Sequence, residues 1–210
     1  MSDYSVKTLS LTKSFGRRLI FKDINFIWEG SGIFGISGPN GSGKSTLVKI
    51  IAGLISPTKG NIIHKNSDKE IIPEKLHDHI GFVSPYLVLY EEFSAWENLE
   101  IFAHIRGIEL DKERVKKLLE EFLIYNRRND LVKTYSSGMK QRLKFVFALM
   151  HLPEVLIFDE PTSNLDEEGK KVVYDIIKDE GKNRIVIIAS NEKNDLEFCD
   201  DILYLEKYKI

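Results

Sequence analysis

The sequence predicts an α/β fold with a parallel β-sheet, an N-terminal antiparallel β subdomain and a helical insertion. Residues 155–158 and 184–190 are short, continuous β-rich runs, which is typical of parallel strands buried on both faces. Residues 6–28 alternate apolar and polar side chains, as antiparallel strands with one solvated face do. Residues 94–150 have a wholly helical pattern and interrupt the alternation of strands and helices.

Local signals predict the individual elements in chain order. Phe15-Gly16-Arg17-Arg18 predicts a turn between the first two strands, and residues 61–72 predict a lysine-rich hairpin. Residues 80–84 form the next predicted strand. Asp166 is a good N-cap for a helix that joins the two late β-rich runs, so these runs are expected to be parallel neighbours linked by a crossover helix.

A glycine-rich loop at residues 38–46, here called the phosphate loop, follows the apolar run at residues 32–37 and leads into a segment with helical periodicity. It fits the pattern of glycine, four residues, glycine, lysine and serine or threonine. Glycines allow successive N–H groups to surround a phosphate, Lys44 would reach the β- and γ-phosphates, and the Ser45 hydroxyl would ligate Mg²⁺. The sequence therefore predicts a P-loop NTPase core of the RecA-like type. Its predicted nucleotide-binding residues are Gly38, Pro39, Asn40, Gly41, Ser42, Gly43, Lys44, Ser45 and Thr46.

Phe15 is a further candidate for nucleotide contact. An aromatic face near the phosphate loop would stack on a purine. The alternative, that Phe15 is an ordinary core aromatic, stays open at this point.

Two adjacent carboxylates, Asp159 and Glu160, directly follow the β-rich run at residues 155–158. They are therefore expected at the carboxyl edge of the sheet, where ligands of such folds bind. Asp159 would hold Mg²⁺ from the side opposite the phosphate loop. Glu160 would polarise the water that attacks the γ-phosphate, and is with Lys44 a predicted catalytic residue.

A second anion site is predicted at residues 135–142, Tyr-Ser-Ser-Gly-Met-Lys-Gln-Arg, where a helix opens. Ser136, Ser137 and Gly138 would offer a hydroxyl, bare N–H groups and the positive end of the helix dipole. Taken alone, an ordinary capped helix explains these residues as well.

Together these motifs resemble the nucleotide-binding subunit of an ABC transporter, over nearly the whole chain. Residues 38–46 are similar to the Walker A loop, residues 155–160 to the Walker B strand, and residues 135–139 to the signature usually written LSGGQ. Ser163-Asn164-Leu165-Asp166 resembles the D-loop, and Phe15 stands where the family keeps its adenine-stacking aromatic. The signature is the specific element, because other P-loop kinases and GTPases lack it.

The resemblance implies one ATP-binding domain over residues 1–210. Its ATPase core would cover about 1–84 and 154–210, and its helical subdomain about 85–153. ATP and Mg²⁺ are the implied cofactors. Two such domains would pair head to tail, as a homodimer or a heterodimer, with ATP between the Walker A loop of one and Ser136 and Gly138 of the other.

The resemblance also implies integral membrane subunits as partners. In the family, the loop after the Q-loop strand lines the groove that receives a short helix of the membrane subunit, and aromatics anchor interfaces through large buried area. The alternative, that most of the aromatics in this loop pack inside the helical subdomain, stays open. The candidate docking residues are Tyr86, Leu87, Leu89, Tyr90, Phe93 and Trp96.

Three positions depart from the family pattern. The sequence Ser84-Pro85-Tyr86 offers no Q-loop glutamine, Asn191 stands where a switch histidine is expected, and Met139 replaces the last glutamine of the signature. Asparagine donates a hydrogen bond to a γ-phosphate but carries no positive charge. With Lys44 and Glu160 present, and Asn191 assigned to the switch position, we expect slow hydrolysis.

Composition and charge exclude several other classes. Thirty basic and 32 acidic side chains give a net charge of −2, so no overall field attracts nucleic acid, and no nucleic-acid partner is expected. The lone Cys199 agrees with a reducing cytoplasm. The N-terminal residues lack a signal-peptide pattern, and the longest apolar run, Phe145 to Met150, is far shorter than the roughly 20 residues of a membrane helix.

The sequence therefore favours a cytoplasmic ATPase subunit of an exporter, peripheral on the inner face of the cell membrane. One alternative is a soluble ABC-type ATPase acting on ribosomes or DNA, which would usually carry two cassettes or a long coiled-coil insertion. Another is a small P-loop kinase, against which the signature and the Asp-Glu pair argue. The transported substrate is not encoded in this chain.

Overall fold

The computed structural model describes residues 3–209, which form two β-sheets and a set of helices. The strands are β1 (Tyr4–Phe15), β2 (Arg18–Glu29), β3 (Gly32–Ser37), β4 (Lys59–Asn66), β5 (Lys69–Glu70), β6 (Ile80–Val83), β7 (Val155–Asp159), β8 (Ile185–Ser190) and β9 (Asp201–Tyr204). The α-helices are α1 (Lys44–Ile51), α2 (Leu76–His79), α3 (Ala95–Arg106), α4 (Lys112–Glu121), α5 (Ser137–Leu149), α6 (Glu167–Gly181) and α7 (Lys193–Leu196). Short 3₁₀ turns cover Pro73–Lys75, Tyr125–Arg127, Val132–Thr134 and Leu205–Tyr208.

The N-terminal sheet is antiparallel, with strand order β2-β1-β4-β5. Phe15 pairs with Arg18 across a two-residue turn, and Gly16 adopts φ +57°, so the predicted turn is confirmed. The alternation of buried and exposed residues along β1 is imperfect because the register shifts between Thr8 and Leu11.

The second sheet is parallel, with strand order β6-β7-β8-β3-β9. Every residue of β7 and β8 is buried, as their continuous apolar runs predict. In the register, Ser37 pairs with Ser190 and Asp159 pairs with Ala189. The carboxyl ends of β7, β8 and β3 therefore meet at one edge of the sheet, and the predicted α/β fold with an antiparallel subdomain is confirmed.

The helical insertion lies between β6 and β7 and is less continuous than its pattern suggests. Ser94 and Glu97 form a reciprocal capping box at the start of α3, Gly107 ends that helix in the left-handed region, and Asp111 caps α4. Two 3₁₀ turns separate α4 from α5. No helix among residues 3–209 has both the length and the apolar character needed to cross a membrane.

Two hydrophobic clusters cover the two faces of the parallel sheet. One joins Phe158 and neighbouring residues to the helical insertion through Phe122 and Phe145, whereas the other joins Ile187 to α1 and to Trp28 of the antiparallel sheet. Because each face of the sheet is covered, its carboxyl edge is the part left accessible for ligands.

Candidate active site

The loop between β3 and α1 has a backbone that requires glycine. Gly41 has φ +74° and Gly43 has φ +108°. A Cβ atom at Gly43 would lie 2.6 Å from the Ile20 side chain of β2, so this residue is required for space as well as for conformation. No side chain caps the N-terminus of α1. The first N–H groups of the helix are therefore free to bind an anion.

Lys44 is buried and holds its ammonium group above this loop. Its Nζ donates to the Gly38 carbonyl at 2.9 Å and lies 3.3 Å from Glu160 Oε1. The side chain is only 5% exposed, so the paired carboxylate compensates a charge that water does not solvate. A phosphate group arriving at the loop would meet an ammonium group already in position.

Asp159 ends β7 with a carboxylate that is fully buried. Within residues 3–209 neither of its oxygens makes a hydrogen bond of ordinary geometry, although the Ser45 hydroxyl lies close enough to act on the carboxylate. Burial raises the pKa of Asp159, while the Ser45 hydroxyl and then Lys44 act in the opposite direction. A buried carboxylate next to a serine hydroxyl fits a hard divalent cation such as Mg²⁺. Within residues 3–209 no group of three His, Cys, Asp or Glu side chains is arranged to hold a metal ion, so such a cation would take further ligands from Ser45, from phosphate and from water.

Glu160 follows directly and has a strained backbone. Its φ is +52°, in the left-handed region, and its N–H donates to the Ala189 carbonyl at 2.8 Å. Burial raises the pKa of Glu160, with Lys44 opposing this rise. The carboxylate is thus held beside Lys44, at the carboxyl end of β7.

Asn191 follows β8, the strand between β7 and β3, and its side chain is exposed. The topology therefore brings the phosphate loop, the two carboxylates and Asn191 to one edge of the sheet. Ser84 follows β6 at the same edge. Its hydroxyl accepts a hydrogen bond from the Tyr86 N–H at 3.2 Å, and its carbonyl accepts one from Lys144 at 3.3 Å.

Ser136, Ser137 and Gly138 lie at the start of α5, as predicted, with both serines exposed. The Ser136 hydroxyl accepts from the Met139 N–H at 3.2 Å. A Cβ atom at Gly138 would lie 3.2 Å from the Asn164 carbonyl. Both contacts connect the start of α5 to itself or to residues 163–166, and neither of them reaches the phosphate loop of the same chain.

Phe15 lies at the tip of the β1–β2 hairpin and is 53% exposed. Ile20 and Phe21 of the same hairpin pack next to Gly43 of the phosphate loop. Lys13 Nζ lies 4.8 Å from the centroid of the Phe15 ring. Phe15 is therefore not a core aromatic, and its ring is accessible for stacking.

Residues 85–96, which follow β6 and are here called the aromatic loop, include both exposed and buried side chains. Tyr86, Tyr90 and Phe93 are exposed, as is Val88, whose exposure the sequence did not suggest. Leu89 is buried in the core, and Leu87 and Trp96 are half-buried. The Asn98 side chain holds the loop by bonding to the N–H and the carbonyl of Tyr90, each at 2.8 Å.

A buried polar group that sequence reasoning missed lies behind Glu160. Asp195 in α7 accepts hydrogen bonds from Thr162, Tyr174 and Ser190. No sequence signal distinguishes Asp195 from the surface acids around it, because its donors come from three other segments of the chain.

Comparison with known proteins gives consistent matches. The family model described as "ABC transporter" matches residues 21–163, more than half of the chain. An uncharacterized ABC transporter ATP-binding protein of Bacillus subtilis, YhcH, is 35% identical over 205 residues, which cover 96% of this chain and 67% of the relative. The lantibiotic transport ATP-binding protein SrtF of Streptococcus pyogenes is 32% identical over 199 residues, covering 94% of this chain and 85% of the relative.

A solved structure, a putative ABC transporter ATP-binding protein from Pyrococcus furiosus, superposes with a TM-score of 0.84 and 26% identity, covering 98% of this chain and 100% of that one. The chain spans 67%, 66% and 63% of the lengths of three of the B. subtilis relatives it matches.

Proposed function

This chain belongs to the ABC transporter family, and from that premise we propose that it binds Mg²⁺ and ATP at the carboxyl edge of its parallel sheet and hydrolyses ATP to power export across a membrane. Family membership confirms the predicted class of ATP-binding transport ATPase. It does not favour a soluble ATPase for ribosomes or DNA, or a small kinase. The relative SrtF, a lantibiotic transport ATP-binding protein, supports a role in transport.

The observation that carries the proposal is the placement of Lys44 3.3 Å from Glu160, next to the buried Asp159 and at the N-terminus of α1, which no side chain caps. Backbone N–H groups of residues 38–46 would bind the phosphates, and Lys44 would turn from Glu160 toward the γ-phosphate. Glu160 would then orient the attacking water and accept its proton. Ser45 and Asp159 would hold Mg²⁺, which when bound neutralises charge on the phosphates.

We expect the hydrolysis to be slow. Asn191 would donate a hydrogen bond to the γ-phosphate but cannot carry the charge of an imidazolium. No glutamine lies near Pro85, where the family keeps its Q-loop glutamine, and the neighbouring Ser84 hydroxyl already bonds within its own loop. Phe15 would stack on the adenine from the hairpin tip, where its exposed ring has room for a base.

A second cassette would complete the site. Ser136, Ser137 and Gly138 present free N–H groups and a helix N-terminus to solvent, away from the phosphate loop of their own chain. The proposed arrangement is a head-to-tail homodimer or heterodimer, with ATP between residues 38–46 of one copy and Ser136 of the other. In this reading, residues 1–84 and 154–210 form the ATPase core and residues 85–153 the helical subdomain.

Membrane subunits would dock on the aromatic loop, so the chain would lie peripherally on the inner face of the cell membrane. Tyr86, Tyr90 and Phe93, together with Val88, supply the exposed apolar area that such an anchor needs, whereas the half-buried Trp96 packs against the hydrophobic core. A Tyr90→Ala variant should lose co-purification with the membrane subunit and keep ATP binding. Tyr204→Ala, at an exposed tyrosine of β9, is the control and should behave as wild type. Equal co-purification of the two variants would refute the docking site.

Phosphate release by the purified chain tests the proposed chemistry. Wild type should release phosphate slowly and only with Mg²⁺. Glu160→Gln should bind ATP without turnover, and Lys44→Ala should lose both binding and turnover. A wild type without turnover, with Glu160→Gln indistinguishable from it, would contradict the proposal.

A further inference from the structure

Asp195 is a buried carboxylate with no assigned role in the chemistry above. It is 1% exposed and accepts three short hydrogen bonds from hydroxyl groups. Thr162 donates to Oδ1 at 2.8 Å, Tyr174 donates to Oδ1 at 2.7 Å, and Ser190 donates to Oδ2 at 2.6 Å. Hydrogen bonds to an ionised acceptor are stronger than neutral ones, which offsets the penalty of burying the charge.

Two of these donors belong to the segments that carry the reactive residues. Thr162 lies two residues after Glu160, and Ser190 is the last residue of β8, directly before Asn191. The third donor, Tyr174, lies on α6, which carries no reactive residue, and its hydroxyl shares Asp195 Oδ1 with that of Thr162. Asp195 therefore joins the ends of β7 and β8.

The backbone at Glu160 needs such support. A glutamate with φ +52° persists only where the surroundings hold it, because the left-handed region is unfavourable for residues with a Cβ. Its N–H bond to Ala189 fixes one side of the turn. The Thr162–Asp195 bond fixes the other side two residues later.

Ser190 makes the link to the Glu160 side chain. Its single hydroxyl hydrogen points to Asp195 at 2.6 Å, while Glu160 Oε2 lies at 3.4 Å from the same oxygen. Asp195 is thus the preferred acceptor. The Glu160 carboxylate keeps its closer contact with Lys44 instead of turning back toward Ser190.

We propose that Asp195 is a positioning residue for ATP hydrolysis, which fixes the segments carrying Glu160 and Asn191 without touching the nucleotide; this rests on the proposed function. In an Asp195→Asn protein, the amide would donate to Ser190, whose hydrogen would then turn to Glu160 and draw its carboxylate away from Lys44. The phosphate loop does not depend on this contact, so ATP binding should persist.

The test compares steady-state hydrolysis and ATP affinity for wild type, Asp195→Asn, Ser190→Ala and Tyr174→Phe, with the folded fraction of each measured by thermal unfolding. Asp195→Asn should lower kcat by about ten- to a hundredfold, the range expected when a reacting group is displaced by about 1 Å, with KM and Kd for ATP within about twofold of wild type. Ser190→Ala should also lower kcat, because it removes the hydrogen bond that joins the end of β8 to Asp195, and it keeps the proposal testable if Asp195→Asn does not fold. Tyr174→Phe also removes one hydrogen bond to Asp195, but from α6, while Thr162 and Ser190 still bond to Asp195, and it should keep a kcat within about twofold of wild type.

The outcomes separate positioning from general support of the fold. Wild-type kcat in folded Asp195→Asn and Ser190→Ala, or an equal loss in Tyr174→Phe, would overturn the role of Asp195 and leave the proposed function intact. A wild type without Mg²⁺-dependent turnover would overturn the proposed function and this role with it.

Discussion

Replacing Asp159 by asparagine should stabilise the nucleotide-free protein and abolish its response to Mg²⁺ and ATP. The carboxylate is fully buried, and the Ser45 hydroxyl and Lys44 do not offset this burial, because the pKa of Asp159 is raised; the ionised carboxylate therefore lowers stability without a ligand. An unsatisfied buried polar group costs about 1–3 kcal/mol and a charged one more, so removing the charge should contribute about 2 kcal/mol. For a chain of this length that corresponds to an increase in Tm of about 4–8 °C.

The assay is thermal unfolding at pH 8 in EDTA, repeated with Mg²⁺ and ATP. At a ligand concentration of 100 times Kd, wild type should gain about 2.7 kcal/mol and Asp159→Asn almost nothing, so the order of stabilities reverses. Asp166→Asn is the matched control, because asparagine and aspartate are about equally good N-caps, and it should follow wild type in both conditions. If Asp159→Asn is no more stable than wild type in EDTA and still gains stability from Mg²⁺ and ATP, Asp159 does not hold the cation.

Two other changes have defined outcomes. Burial lowers the pKa of His64 to about 4. Between about pH 4 and 6.5 the unfolded state therefore binds more protons than the folded state, and stability falls as the pH falls. His64 should account for a loss of about 3 kcal/mol in the free energy of unfolding over this range. Denaturant unfolding from pH 7 to pH 4 should show a shallower decline for His64→Gln, and parallel curves would contradict the assignment. Gly43→Ala should lose ATP binding in a nucleotide titration, because its methyl group would lie 2.6 Å from the Ile20 side chain. The control is Gly107→Ala, at a residue with positive φ but open space around it, which should lower the free energy of unfolding by about 1–2 kcal/mol and keep ATP binding. Equal ATP binding by both variants would show that the phosphate loop tolerates a side chain.

Several motifs could be predicted from the sequence because each depends on interactions between residues that are close in sequence. The glycine-rich loop, the Asp-Glu pair after a buried strand and the serine at the start of α5 each depend on a few consecutive residues. The strands predicted up to residue 190, and their division into an antiparallel subdomain and a parallel sheet, followed from periodicity and turn signals, and the structure confirms them; β9 and α7 were not predicted. The 94–150 segment was less regular than its pattern, because turns between helices carry apolar residues that pack as well as helical ones do.

Features that depend on contacts between distant segments of the chain could not be predicted from the sequence. The burial of Asp195 arises from Thr162, 33 residues away, and Tyr174, 21 residues away. Leu89 and Val88 are neighbours of equal apolarity, yet one is 6% and the other 84% exposed, since only the folded loop decides which side faces the core. The positive φ of Glu160 likewise could not be predicted from the residue types around it.

Calorimetric titration of the purified chain with ATP measures whether the carboxyl edge of the sheet holds a Mg²⁺-dependent nucleotide site. We expect one ATP bound per chain in Mg²⁺, markedly weaker binding in EDTA, and loss of binding in Lys44→Ala. Binding that is equal in Mg²⁺ and EDTA, or unchanged in Lys44→Ala, would contradict a Mg²⁺ and ATP site at the carboxyl edge of the sheet.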